Sequence, residues 1–168
     1  MSVMGRYVIM GVAGCGKSRI GAALAKQIGA AFVDGDSLHP PANVAKMSGG
    51  QPLNDEDRAP WIKRVAETLV ETEGPVIVAC SALKKAYRDQ IRGIAGEVVF
   101  LFLDGSRDVL ARRLETREGH FMPANLLDSQ LATLQRPGPD EPAISVGIDQ
   151  SPDAVVSVLA NRIKGVLK

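Results

Sequence analysis

Gly11-Val12-Ala13-Gly14-Cys15-Gly16-Lys17-Ser18 fits the pattern G-x-x-x-x-G-K-[ST], set between an apolar run and a segment of helical pattern. Glycines let the backbone curl until successive N–H groups point inward, and a helix starting at the lysine adds the partial positive charge of its N-terminus. All eight residues, Gly11, Val12, Ala13, Gly14, Cys15, Gly16, Lys17 and Ser18, are therefore expected to cradle nucleotide phosphates. Lys17 has the reach for the β- and γ-phosphates, and Ser18 offers a hydroxyl to the Mg²⁺ that bridges them. ATP and Mg²⁺ are the cofactors implied. Cys15 reads either as a reactive thiol at a helix N-terminus or, more simply, as a small residue accepted in the cradle.

Outward from this loop, apolar runs of strand length alternate with longer amphipathic segments, the pattern of a parallel sheet covered by helices on both faces. Strands are expected at 7–12, 31–34, 75–80, 98–103 and 143–148, and helices at 17–28, 59–72, 84–94, 107–116 and 152–166. The fold class is α/β, a three-layer αβα sandwich around a five-stranded parallel sheet. One domain spans 1–168. Two stretches interrupt the alternation. The stretch from Ser37 to about 58 carries Pro40, Pro41, Gly49, Gly50 and Pro52, and should be mostly loop with a short helix near 42–47. The other, about 117–140, reads as a mobile cover.

Composition narrows the partners. With 20 basic and 19 acidic residues the net charge is +1, which gives no reason to expect nucleic acid or an acidic membrane. Cys15 and Cys80 are too few for a secreted disulfide framework, so a reducing cytoplasm is expected. No signal-like start or membrane-length apolar run occurs.

Asp34-Gly35-Asp36 ends the second expected strand, where ligands of parallel α/β sheets collect. One carboxylate can hold the Mg²⁺ shell and the other can accept a proton from an attacking hydroxyl. An Asp-Gly turn is the plain alternative, but its place after the phosphate loop and its helix favours the chemical pair. At the end of the third strand stands Cys80-Ser81, where many nucleotide-binding sheets carry a carboxylate. Ser81 can orient a metal-bound water or be a satisfied buried serine, and both readings stay open.

Leu38-His39-Pro40, Asn43, Lys46-Met47 and the run 52–61, Pro-Leu-Asn-Asp-Glu-Asp-Arg-Ala-Pro-Trp, follow in order. Together with Cys80-Ser81-Ala82-Leu83-Lys84-Lys85, Tyr87-Arg88 and Gly119-His120-Phe121-Met122, they resemble the gluconate kinases, small P-loop relatives of the shikimate and nucleoside monophosphate kinases. The resemblance runs from the phosphate loop to Pro137. It implies transfer of phosphate from ATP to the 6-hydroxyl of D-gluconate, with Asp36 as base, Asp34 on the metal side beside Ser18, and a homodimer.

An anionic polyol needs a fixed cation and several polar partners, and Arg58, Arg88, Lys84, His39 and His120 are the candidates. Arg58 can instead pair with Asp55 or Asp57; the resemblance favours substrate contact. Arg112, Arg113, Arg117 and His120 cluster beside the cover. Helix-dipole matching explains one or two of them. By resemblance Arg117 passes over the phosphates during transfer and Arg113 lies on the adenine. Competing readings are another small-metabolite kinase of the shikimate type, or a nucleotide switch without transfer. The switch is disfavoured because no Asn-Lys-x-Asp guanine motif occurs.

Overall fold

The computed structural model describes residues 5–12, 14–51, 53–115 and 124–166. Five parallel strands, β1 (Arg6–Met10), β2 (Ala31–Asp34), β3 (Val76–Ala79), β4 (Val99–Asp104) and β5 (Ala143–Gly147), lie in the order β2-β3-β1-β4-β5. The central strand shows why the sequence gives no polar alternation. Tyr7 and Ile9 enter one apolar core while Val8 and Met10 enter the other, so both faces of β1 are buried. Val8 sits in register with Val78 of β3 and Phe100 of β4.

The helices are α1 (Lys17–Ile28), α2 (Pro41–Ser48), α3 (Asp55–Glu71), α4 (Lys85–Ala95), α5 (Arg107–Glu115), α6 (Ala124–Thr133) and α7 (Pro152–Val166). Ile20 and Leu24 of α1 pack with Val155, Leu159 and Ile163 of α7 in one core. Trp61, Ile62, Val65 and Leu69 of α3 pack with Tyr87 and Ile91 of α4 in the other. This is the expected three-layer sandwich. Among the described residues no helix is long and apolar enough to cross a membrane.

Two expectations need correction. β1 stops at Met10 rather than at residue 12, because Gly11 leaves the extended region with φ +148° and begins the phosphate loop. The stretch 37–58 is far less loop than expected: a 3₁₀ turn over Gly35–Leu38 leads into α2, and α3 starts at Asp55 instead of residue 59. Asn54 and Asp57 form a reciprocal capping box that starts the helix upstream, and Pro60 merely forfeits one bond inside it.

Candidate active site

Because all strands are parallel, Gly11, Asp34 and Cys80 leave the sheet at the same edge. The loop after β1 depends on glycine. A Cβ on Gly11 would meet Cys15 Sγ at 2.7 Å and Leu103 O at 3.0 Å. Gly14 and Gly16 have φ of +87° and +92°. Gly16 caps α1 with no side-chain hydrogen bond, and the first turn of α1 contains no acidic residue. The helix N-terminus therefore keeps free N–H groups and an uncompensated positive end, both suited to phosphate. Lys17 Nζ rests on Gly11 O at 2.9 Å and Val12 O at 3.4 Å, within the loop it would serve. Cys15 is fully buried, which fits its reading as a small packed residue. Burial pushes the Cys80 thiol up to about 12, and both cysteines are buried.

Ser18 Oγ donates to Asp34 Oδ2 at 3.2 Å, bringing the two expected metal-side residues together. The other oxygen of Asp34 accepts the Asp36 N–H at 3.0 Å, and Asp34 O accepts from Ser37 Oγ at 2.7 Å. A hydroxyl and a carboxylate are hard oxygen donors that suit Mg²⁺ when phosphate oxygens and water complete the shell. Among the described residues no group of three or more His, Cys, Asp or Glu could hold a metal by itself. Asp36 is exposed and its carboxylate has no hydrogen-bond partner among the described residues, as a proton acceptor requires. Asp36 and Lys17 act with opposite sign on the Cys80 thiol, which places both charges around the end of β3.

Between these carboxylates Gly35 holds the turn. A Cβ there would lie 2.1 Å from Ala79 O, so only glycine lets the chain pass this close to β3. Gly35 O accepts the Trp61 indole N–H at 2.8 Å, and the same indole stacks on His39 at 4.1 Å with planes 16° apart. Asn43 Nδ2 donates to Asp57 O at 2.8 Å and lies 3.2 Å from His39 Nδ1. Since the amide nitrogen can only donate, Nδ1 accepts and the ring proton sits on Nε2. Burial lowers the His39 pKa from its ordinary value, Asp36 opposes this and Arg58 reinforces it.

Arg58, half-buried near the start of α3, donates from Nη1 to Tyr87 Oη at 3.2 Å. Asp55 accepts from the Tyr87 hydroxyl and, at 2.9 Å, from Lys84 Nζ. Lys84 is thus brought to the acceptor side already paired. Arg88 is a correction. It is fully buried, its Nε and Nη2 grip Glu141 at 2.6 and 3.2 Å, and Ala82 O and Gln135 O take further donors. With its donors turned into the protein it ties loops together and presents nothing to a substrate. Its spacing from Ile91 and Ala95 on α4 places it on the buried face, a sequence signal that its charge hides.

On the nucleotide side Arg113 Nη2 donates to Ile148 O at 2.6 Å, and a Cβ on Gly16 would lie 3.8 Å from Arg113 Nη1. A cleft of about 410 Å³ opens beside it, lined by Val109, Arg112, Arg113, Ile148, Asp149 and Gln150. Its position next to the phosphate loop suits a base. Ala13, Arg117 and His120 lie outside the described residues. Tyr87, Trp61, Asn43 and Asp55 lie in the stretches that carry the resemblance but receive no site role from sequence; their roles depend on contacts between residues far apart in the chain.

A parallel sheet in this order, with a glycine-built phosphate loop and an acidic pair at its edge, defines a P-loop nucleotide-dependent phosphotransferase. The family model described as "AAA domain" matches residues 7–137. The chain is 51% identical to the gluconokinase of Gluconobacter oxydans over 94% of this chain and 90% of that one. It is 44% identical to the thermoresistant gluconokinase of Escherichia coli, covering 94% and 93%. The crystal structure of a gluconokinase from Sinorhizobium meliloti superposes with a TM-score of 0.85 at 44% identity, covering 98% of each chain. The chain belongs to the gluconokinase family.

Proposed function

We propose that this chain transfers the γ-phosphoryl group of Mg·ATP to the 6-hydroxyl of D-gluconate, giving 6-phosphogluconate. The observation that carries the acceptor assignment is that Asp36, whose carboxylate has no partner among the described residues, and Arg58 both act on His39. A base, a neutral ring donor and a cation in one neighbourhood suit an open-chain sugar acid, which has a hydroxyl to be deprotonated at one end and a carboxylate at the other.

In this reading the loop 11–18 holds the phosphates, with Lys17 neutralising charge on the β- and γ-oxygens. Ser18 and Asp34 would hold Mg²⁺, which would supply charge withdrawal from the phosphate oxygens. Asp36 accepts the proton of the attacking hydroxyl, the new O–P bond forms as the bond to ADP breaks, and the proton stays on Asp36 until it passes to solvent. His39, Arg58 and Lys84 line the acceptor side, while Arg113 faces the base. Arg117 and His120 act from the cover, 117–140, and the stretch 37–58 binds the acceptor, both within a single domain 1–168. A homodimer in the cytoplasm completes the proposal, tested by sedimentation and by fractionation.

A coupled assay of purified protein with Mg·ATP and a panel of acceptors tests the function. Gluconate should be preferred over shikimate and nucleoside monophosphates. Preference for either of those would install the metabolite-kinase alternative, and ATP turnover indifferent to every acceptor would install the switch.

A further inference from the structure

Arg58 and Lys84 flank one aromatic ring, their charged groups 6.0 and 5.7 Å from the Tyr87 centroid. Two cations this close repel unless a negative charge intervenes, and Asp55 supplies it to Lys84 through both oxygens, at 2.9 and 3.2 Å. Asp57, the other acid near Arg58, is taken by Lys46 at 2.5 Å. Arg58 is left as the cation whose charge no ion pair in this cluster compensates.

The Tyr87 hydroxyl has one proton, and it donates that proton to Asp55. Towards Arg58 it can therefore only accept, and it takes Nη1. With Nη1 held, the Nε and Nη2 edge of Arg58 is free, and no other hydrogen bond of the guanidinium occurs among the described residues. That edge is a carboxylate grip elsewhere in this chain: Arg88 holds Glu141 through the same two nitrogens. The ring that carries the hydroxyl is a buried part of α4, in the core that α4 shares with α3, so the acceptor oxygen is fixed in place.

We propose that Tyr87 is a positioning residue for the acceptor's carboxylate: its hydroxyl, polarised by Asp55, fixes the Arg58 fork with its free edge toward the sugar acid. This rests on the sugar-acid reading above. Tyr87 need not touch the substrate. It decides which edge of Arg58 the substrate meets.

Steady-state kinetics of wild type, Tyr87→Phe and Asp55→Ala with gluconate, neutral glucitol and ATP test it. Tyr87→Phe keeps the packed ring and removes the fixed acceptor, so KM for gluconate should rise about 5- to 10-fold, the effect of one hydrogen bond to a charged group. kcat and KM for ATP should stay within about twofold, and the preference for gluconate over glucitol should shrink by the factor lost in KM. Asp55→Ala should give the same split, smaller. An unchanged gluconate KM, or equal losses for gluconate and glucitol, overturns the proposal. Should wild type ignore gluconate, the sugar-acid reading fails by itself, and Tyr87→Phe is then read on whichever anionic acceptor is used. An unchanged KM there, or use of neutral acceptors alone, overturns the positioning role too.

Discussion

Arg88 of α4 and Glu141, just before β5, form a buried ion pair with two parallel hydrogen bonds, Nε to Oε1 at 2.6 Å and Nη2 to Oε2 at 3.2 Å. Arg88 also holds the carbonyl of Ala82, which has φ +44° and is the one non-glycine residue with positive φ among those described. The neighbouring Ser81 O accepts the Gly11 N–H at 3.3 Å. The pair thus braces, from behind, a strained turn that touches the phosphate loop.

Removing one partner leaves the other buried and unpaired. Arg88→Met should therefore lower stability by about 3–5 kcal/mol, and Glu141→Gln by less, in denaturant titrations. Arg88's guanidinium holds the Glu141 carboxyl below its usual range against the opposing effect of burial. Its contribution is then fully present above the ordinary glutamate pKa and is lost as pH falls through the depressed folded value. The stability gap between wild type and Glu141→Gln should close over that acid window; a gap independent of pH would show that the pair's charge is irrelevant.

Asp36 and Asp34 should separate kinetically. Asp36→Asn keeps the shape of an exposed, unpartnered side chain and removes the proton acceptor, so the rate should fall by about 10²- to 10⁴-fold with ATP affinity little changed. Asp34→Asn can still cap the turn at Asp36 N–H but weakens a hard-oxygen site shared with Ser18, and should raise the Mg²⁺ concentration needed for half-maximal rate. Metal titrations of both variants check this. The opposite pattern would exchange the two roles.

His39 should titrate below the ordinary histidine range, because burial and Arg58 together outweigh Asp36. Protonation would also put a proton on Nδ1, where Asn43 already donates. The folded state binds fewer protons than the unfolded one, so stability drops as pH falls through the ordinary histidine range toward the folded pKa. Nitrogen-15 shifts at neutral pH should show the Nε2–H tautomer, and Asn43→Ala should raise the titration midpoint. An Nδ1–H ring would reverse the assignment.

Local signals made much of the fold legible. Gly16 and Gly29, both in the left-handed region, bracket α1, and Pro152 opens α7, so both helices have the bounds that the sequence implies. The start of α3 is not legible in the same way, because its capping box uses Asp57 in place of the usual Glu or Gln. The phosphate loop and acidic pair were readable because each is a short contiguous run. The acceptor side was not: the His39 and Trp61 stack and the Arg58, Tyr87 and Asp55 chain join residues 22 to 32 positions apart. Arg88 shows the complementary failure, since charge marks a residue as polar without revealing where it is buried.

Arg58 should act as the fixed end of a molecular ruler. Gluconate carries its carboxylate at one end of the chain and its primary hydroxyl at the other, so gripping the first brings the second toward Asp36. Glucitol keeps the hydroxyls and loses the charge, leaving the guanidinium fork without a bidentate partner, and should be a far poorer acceptor. Arg58→Lys preserves the charge but has one point donor where the fork had a planar edge, and it gives up the Nη1 bond that Tyr87 Oη accepts at 3.2 Å. Its kcat/KM for gluconate should fall by about 10-fold or more, while its already low efficiency with glucitol changes little. Kinetics with both acceptors on both proteins decide the matter. Equal efficiency for gluconate and glucitol in the wild type, or a fully active lysine variant, would place the carboxylate anchor elsewhere.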